Sequence, residues 1–164
     1  MQCAPMSSCN ATALTKKWGQ KLLDKLPEGD TTRFLEFFKE HPTNAGVVEH
    51  ACRALSILTI NTNNKVAIAK ERGITRILEA FKKHPTHAGV VKWACRALFC
   101  LAANNAANKA TIAKEGGITR LLEALQQHPT HANVQENACL ALDELADNAA
   151  NTVAMAKVGI KQLP

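Results

Sequence analysis

The sequence predicts an all-α protein, a right-handed solenoid built from three-helix repeats. The segment HPTHAGVVKWACRAL begins at His84, and close copies begin at His41, with 12 of 15 identities, and at His128, with 10 of 15. The copies are therefore spaced by 43 and then 44 residues, a period typical of helical repeat arrays. Composition agrees, because aromatic residues make up only 4% of the chain while alanine and leucine are plentiful.

The helices of one unit are clearest from residue 64 onward. The segment NKVAIAKERG reads as a short amphipathic helix, which Gly73 is expected to end as a C-terminal glycine. The next segment, ITRILEAFKKH, has apolar residues at helical spacing, and Pro85 is expected to end that second helix. Thr86 is predicted to cap a third helix that runs to about Ala103, and its wide apolar band needs cover on more than one side.

Three helices in about 43 residues, with a glycine after the first and a proline after the second, resemble the armadillo repeat. The resemblance covers about 30–164 and implies two full units, with partial units at both ends. The approximate bounds of these units are 30–63, 64–107, 108–150 and, for the partial last unit, 151–164. Residues 1–13 are expected to form a flexible leader, and 14–29 an N-terminal capping helix and linker.

The last unit supplies no long third helix, so one flank of the preceding long helix is expected to be exposed. Its apolar residues are Val134, Ala138, Ala141, Leu142 and Leu145. Exposed apolar surface of this kind normally marks an interface. The sequence therefore predicts a homodimer formed through this end, or a place within a longer parent array.

Charge and hydropathy narrow the classes of function. The net charge is +6, with the middle of the chain basic and the C-terminal part acidic. A basic segment at 41–127 keeps nucleic-acid binding open as the alternative function. No stretch of 18 apolar residues occurs and no secretory signal is recognised, so we expect no membrane partner and a cytoplasmic or nuclear location.

In armadillo proteins the third helices line a concave groove, and the resemblance implies that protein partners, often extended peptides, bind there. Peptide-binding members carry a tryptophan and, four residues later, an asparagine on each third helix. The tryptophan positions of this chain hold Arg53, Arg96 and Leu140. The asparagine positions hold Ile57, Cys100 and Glu144. The ladder is absent, and two arginines would repel a basic nuclear-localisation peptide.

The residues predicted to face the groove suggest a different ligand. They are His50, Arg53, Ser56, Trp93, Arg96, Phe99, Asn137, Asp143 and Glu144. Guanidinium groups pair bidentately with carboxylates, and tryptophan and arginine anchor many interfaces. The prediction is a scaffold that binds an acidic or aromatic-containing partner segment. One alternative stays open: Arg53 and Arg96 pair only with Glu49 and other neighbours on their helices.

The remaining reactive side chains predict no catalysis. Cys52, Cys95 and Cys139 share one repeat position and are interpreted as small core residues rather than disulfide partners. The paired histidines around each proline are interpreted as turn residues that recur with the unit, because no metal-ligand spacing accompanies them. We predict no catalytic residue, no metal, no cofactor and no enzymatic activity.

Overall fold

The computed structural model describes residues 30–161, and this part of the chain contains helices and no strand. Its nine helices are α1 (Asp30–Glu40), α2 (Ala45–Leu58), α3 (Thr62–Lys70), α4 (Gly73–Lys83), α5 (Ala88–Ala102), α6 (Ala106–Lys114), α7 (Gly117–Gln127), α8 (Ala132–Ala146) and α9 (Ala149–Lys161). The leader predicted at 1–13 and the capping helix predicted at 14–29 lie outside the described residues.

The helices repeat in the order short, medium, long, which confirms the predicted all-α solenoid. α3, α4 and α5 form one unit, α6, α7 and α8 form the next, and α1 with α2 are the medium and long helices of the unit before them. The three long helices α2, α5 and α8 pack side by side and supply most of the core. Leu55 on α2 and Leu98 on α5 are fully buried, because each long helix is covered by the next.

Each long helix is tied at its end by an asparagine near the start of the helix that follows. The Nδ2 atoms of Asn64, Asn108 and Asn151 donate to backbone carbonyl oxygens in the last turns of α2, α5 and α8, at 3.0, 2.9 and 3.0 Å. Asn108 and Asn151 are buried, so these bonds satisfy carbonyl groups that the helix itself leaves without partners. Asparagines between the repeated segments therefore stabilise the corners of the solenoid.

The turn between the short and medium helices differs from the sequence prediction. Gly73 does not end α3; it begins α4, and the residue in the left-handed region is Arg72, with φ of 62°. Gly116 holds the equivalent place in the next unit, with φ of 86°. Gly73 is needed for close packing, since a Cβ atom there would lie 2.7 Å from the Ile68 carbonyl oxygen and overlap the Ile68 side chain.

This geometry predicts opposite effects for two neighbouring substitutions. Gly73→Ala should lower the free energy of unfolding by about 1–3 kcal/mol, because the added methyl overpacks the α3–α4 corner. Arg72→Gly should raise it by up to about 1 kcal/mol, because glycine adopts the left-handed conformation without strain. Urea unfolding of both variants beside the parent measures the two shifts. A stabilising Gly73→Ala together with a destabilising Arg72→Gly would contradict the assignment.

The cap of the long helices also differs from the prediction. Thr86 is exposed in the turn, and the side chain that caps α5 is His87, whose Nδ1 accepts a hydrogen bond from Val90 N at 3.2 Å. His131 caps α8 in the same way at 3.3 Å, and the Oδ1 atom of Asn44 caps α2 at 3.2 Å. An imidazole nitrogen that accepts carries no proton, so Nδ1 is the unprotonated nitrogen at both histidine caps.

The histidine before each proline joins neighbouring units, so these residues are more than turn residues that recur with the repeat. Nε2 of His84 lies 2.9 Å from the carbonyl oxygen of Pro42, and Nε2 of His128 lies 2.7 Å from that of Pro85. A carbonyl oxygen only accepts, so each Nε2 carries the proton and donates it. Each unit is therefore hydrogen-bonded through its histidine to the proline turn of the unit before it.

Burial confirms the core interpretation for Cys52 and Cys95, which are both 0% exposed, whereas Cys139 is half-buried. Cys139 is more exposed than the other two because only α9 follows α8 in the described part of the chain. The prediction of an exposed flank on α8 is wrong for four of its five apolar residues, which are buried. The fifth, Leu142, is half-buried. The buried four are Val134, Ala138, Ala141 and Leu145.

The last described helix departs from the expected pattern as well. α9 runs from Ala149 to Lys161 without the break that separates short and medium helices in the units before it. It packs against α7 and α8 and covers part of the last unit. α8 is therefore better covered than the sequence predicts.

Candidate functional site

Contacts between arginine, lysine and aromatic side chains link some of the predicted groove residues on the long helices. The guanidinium carbon of Arg53 on α2 lies 5.3 Å from the centre of the Trp93 ring on α5, which joins the two helices across their junction. The Nζ atom of Lys92 lies 4.7 Å from the same ring, and the guanidinium of Arg96 lies 5.4 Å from the Phe99 ring. These cation–π contacts hold three positive groups beside two aromatic rings.

The alternative interpretation required Arg53 and Arg96 to pair with carboxylates on their own helices, and in the described part of the chain they do not. Among residues 30–161, no ion pair involves Arg53 or Arg96. Glu49 instead lies 3.9 Å from Nδ1 of His87 and packs so closely on Gly89 that a Cβ atom there would overlap its carboxylate. The two guanidinium groups therefore retain donors that a ligand carboxylate can use.

An open cleft of about 280 Å³ lies between α5 and α8. We call it the Trp93 cleft; it is lined by Lys92, Trp93, Arg96, Asn133, Glu136 and Asn137. Three of these residues, Trp93, Arg96 and Asn137, were predicted from the sequence. Lys92, Asn133 and Glu136 were missed, although Lys92 and Asn133 stand four residues before Arg96 and Asn137 and so share their helix faces.

Two predicted groove residues are not available to a ligand. Ser56 is 5% exposed and its hydroxyl donates to the Arg53 carbonyl oxygen at 2.7 Å, so it lies beneath the groove surface. Glu144 forms an ion pair with Lys109 of α6 at 2.8 Å. His50 and Asp143 are exposed.

Lys109 connects the short helix α6 to the end of α8. Its Nζ lies 2.8 Å from a carboxylate oxygen of Glu144 and 2.8 Å from one of Asp147. Burial alone would lower the pKa of Lys109, but its hydrogen bonds to the two carboxylates outweigh burial and raise that pKa. The equivalent Lys65 donates to the Ala103 carbonyl oxygen at 2.8 Å, so both lysines tie a short helix to the long helix of their own unit.

Residues 30–161 contain neither a cluster suited to a metal ion nor a helix that could span a membrane. Within residues 30–161, no cluster of three or more histidine, cysteine, aspartate or glutamate side chains has an arrangement that suits a metal ion. No helix in the same range is long and apolar enough to cross a membrane.

One part of the chain is similar to a known family. Residues 105–147 match the family model of the Armadillo/beta-catenin-like repeat. No curated protein and no solved structure matches the chain. The matched range holds α6, α7 and α8, which are one complete unit of short, medium and long helices. Such repeats generally mediate protein–protein interaction and typically form scaffolds without enzymatic activity. Residues 105–147 are therefore similar to an armadillo-type repeat, and the described part of the chain is consistent with an all-helical solenoid.

Proposed function

We propose that this chain is a protein-binding scaffold that holds an acidic segment of its partner on the surface formed by α2, α5 and α8. The observation that carries the proposal is the pair of arginines held over aromatic rings without a carboxylate partner in the described part of the chain. Arginine in this state offers a planar set of donors that matches a carboxylate.

The aromatic rings strengthen the case for a binding surface. Trp93 and Phe99 are half-buried, so they pack on the core yet keep part of each ring accessible. Arginine and tryptophan are enriched among the residues that contribute most to protein interfaces. The stacking also limits the motion of the guanidinium groups, which reduces the entropy lost when a ligand binds.

A double charge reversal tests the proposal. Arg53→Glu with Arg96→Glu should abolish binding of a fluorescein-labelled peptide rich in glutamate. Each substitution replaces a guanidinium that attracts a peptide carboxylate with a carboxylate that repels it. The melting temperature should fall by only a few degrees, since Arg53 is exposed and Arg96 is half-buried, and substitutions at the surface usually change stability by about 0.5 kcal/mol each. Fluorescence anisotropy measures binding, and circular dichroism measures thermal unfolding.

The matched control is Lys82→Glu with Lys83→Glu, which makes the same change in net charge on the exposed end of α4. This variant should retain most of the affinity, apart from a salt-sensitive loss of long-range attraction. Equal loss of binding in both variants would mean that net charge, and not the arginine–aromatic surface, attracts the peptide. Unlabelled RNA serves as a competitor. If RNA displaces the peptide from the parent protein, the nucleic-acid alternative is favoured.

A further inference from the structure

We infer that the segment bound in the Trp93 cleft is extended and carries both signs of charge: a carboxylate directed at α5 and a basic side chain, two positions away, directed at Glu136 on α8. This inference rests on the proposed function and specifies the ligand of the same surface. The inference rests on the arrangement of the cleft, which has basic side chains of α5 on one wall and the acidic side chain of Glu136 on the other.

The two walls of the cleft have opposite charge. Lys92 and Arg96 stand on α5, which has no acidic residue, and Glu136 stands on α8, which has no lysine or arginine. Glu136 is exposed and takes part in no ion pair within residues 30–161. A purely acidic segment would therefore meet repulsion on one wall, whereas a segment of mixed charge meets attraction on both.

The junction before this one shows why the cleft is open. Between α2 and α5, Glu49 folds over Gly89 and fills the space near His87. At the equivalent positions of the next junction Lys92 replaces Glu49 and Asn133 replaces Gly89. Lys92 stacks on Trp93 instead of crossing to α8, so the second junction keeps room for a ligand.

Two amides on α8 suit the backbone of an extended segment. Nδ2 of Asn137 donates to the Asn133 carbonyl oxygen at 2.7 Å, which leaves the Oδ1 atom of Asn137 able to accept from a ligand N–H group. The Asn133 side chain is exposed one turn earlier on the same face. These amides lie away from the positions where the armadillo resemblance implies asparagines, which hold Ile57, Cys100 and Glu144 here.

The spacing of the two ligand charges follows from helix packing. Packed helices lie about 8–10 Å apart. In an extended peptide, residues two apart share a face and are separated by about 7 Å. The flexible stem of a lysine or arginine covers the remaining distance, so a separation of two positions places the opposite charges on opposite walls of the cleft.

Two fluorescein-labelled heptapeptides test the inference on the full chain. The acidic probe is Ala-Ser-Glu-Ser-Glu-Ser-Ala and the bipolar probe is Lys-Ser-Glu-Ser-Glu-Ser-Lys, so a lysine lies two positions from a glutamate whichever way the peptide runs. The bipolar probe should bind about two- to five-fold more tightly at low salt, the range expected for exposed ion pairs. Simple attraction to a chain of net charge +6 predicts the opposite order, because the bipolar probe is less acidic.

Glu136→Gln should remove the advantage of the bipolar probe and leave the affinity of the acidic probe equal or higher. Glu79→Gln is the matched control, an exposed glutamate on α4 outside the cleft, and it should preserve the advantage. A bipolar probe that binds no better than the acidic probe, or an advantage that survives Glu136→Gln, overturns the inference. The proposed function then still stands if the acidic probe depends on Arg53 and Arg96, and both proposals fail if neither probe binds.

Discussion

Replacing Cys95 with aspartate should leave little folded protein at neutral pH. Cys95 is 0% exposed at the centre of α5, with long helices packed on both sides. A carboxylate there would be buried without a partner, at a cost of several kcal/mol. Domains of this size are stable by only about 5–15 kcal/mol, so one such substitution consumes much or all of the total.

Two variants separate buried charge from simple loss of the thiol. Cys95→Ala should cost only about 1 kcal/mol, because it removes one sulfur atom and leaves a small cavity. Cys139→Asp, at the half-buried position of the next unit, should retain helical circular dichroism and a cooperative thermal transition. A Cys95→Asp variant that melts within a few degrees of the parent would show that this position is not enclosed as described.

The second large effect should appear in alkaline solution, where the buried thiols make the fold labile. Burial raises the pKa of Cys52, and the nearby Glu49 carboxylate raises it further. Burial raises the pKa of Cys95 as well. Thiols in the unfolded chain ionise near pH 8.5, so above that pH the unfolded state binds fewer protons than the folded state. Stability contributed by the neutral thiols is therefore complete below about pH 8.5 and declines as the pH rises.

The size of this decline is about 1.4 kcal/mol per pH unit for each thiol, or about 2 kcal/mol per thiol at pH 10. Urea unfolding under reducing conditions at pH 7 and pH 10 measures the difference. The double variant Cys52→Ala with Cys95→Ala should be less stable than the parent at pH 7 but lose about 4 kcal/mol less between the two pH values. Equal losses in parent and variant would contradict the prediction. At pH 10 the Lys109 ion pairs remain, because the pKa of that lysine is raised above its ordinary value near 10.4.

The repeat period and the proline and glycine positions were sufficient to predict the fold class and the order of helices. They were not sufficient to assign the caps. Thr86 and His87 are neighbours with cap-forming side chains, and only the three-dimensional turn shows that His87 Nδ1 reaches the Val90 amide. The prediction that Gly73 ends the short helix was wrong for a similar reason, because Arg72 takes the left-handed conformation at this turn and Gly73 packs closely on Ile68.

Helix periodicity predicts which groove residues share one surface, but it does not predict their contacts with other helices. Periodicity places Arg53, Trp93 and Arg96 on one surface, and the structure brings Arg53 onto the Trp93 ring. It does not indicate that Ser56 turns its hydroxyl back to its own helix. It also does not indicate that Glu144 is neutralised by Lys109, which is 35 residues earlier and belongs to another helix. Contacts between helices decide which polar side chains remain available.

The hydrogen bonds from histidine to proline allow a whole unit to be duplicated or deleted without loss of pairing between the units that remain. The central unit provides both an imidazole donor for its predecessor, His84, and a proline carbonyl for its successor, Pro85, so removing this whole unit leaves a matching donor and acceptor. Loss of residues 64–107, for example, would bring His128 to the carbonyl oxygen of Pro42, where His84 now donates. The two bonds span 42 and 43 residues, so a difference of one residue in unit length leaves donor and acceptor aligned. An array of this kind can therefore gain or lose a whole unit and still pair a histidine with a proline carbonyl at the new junction.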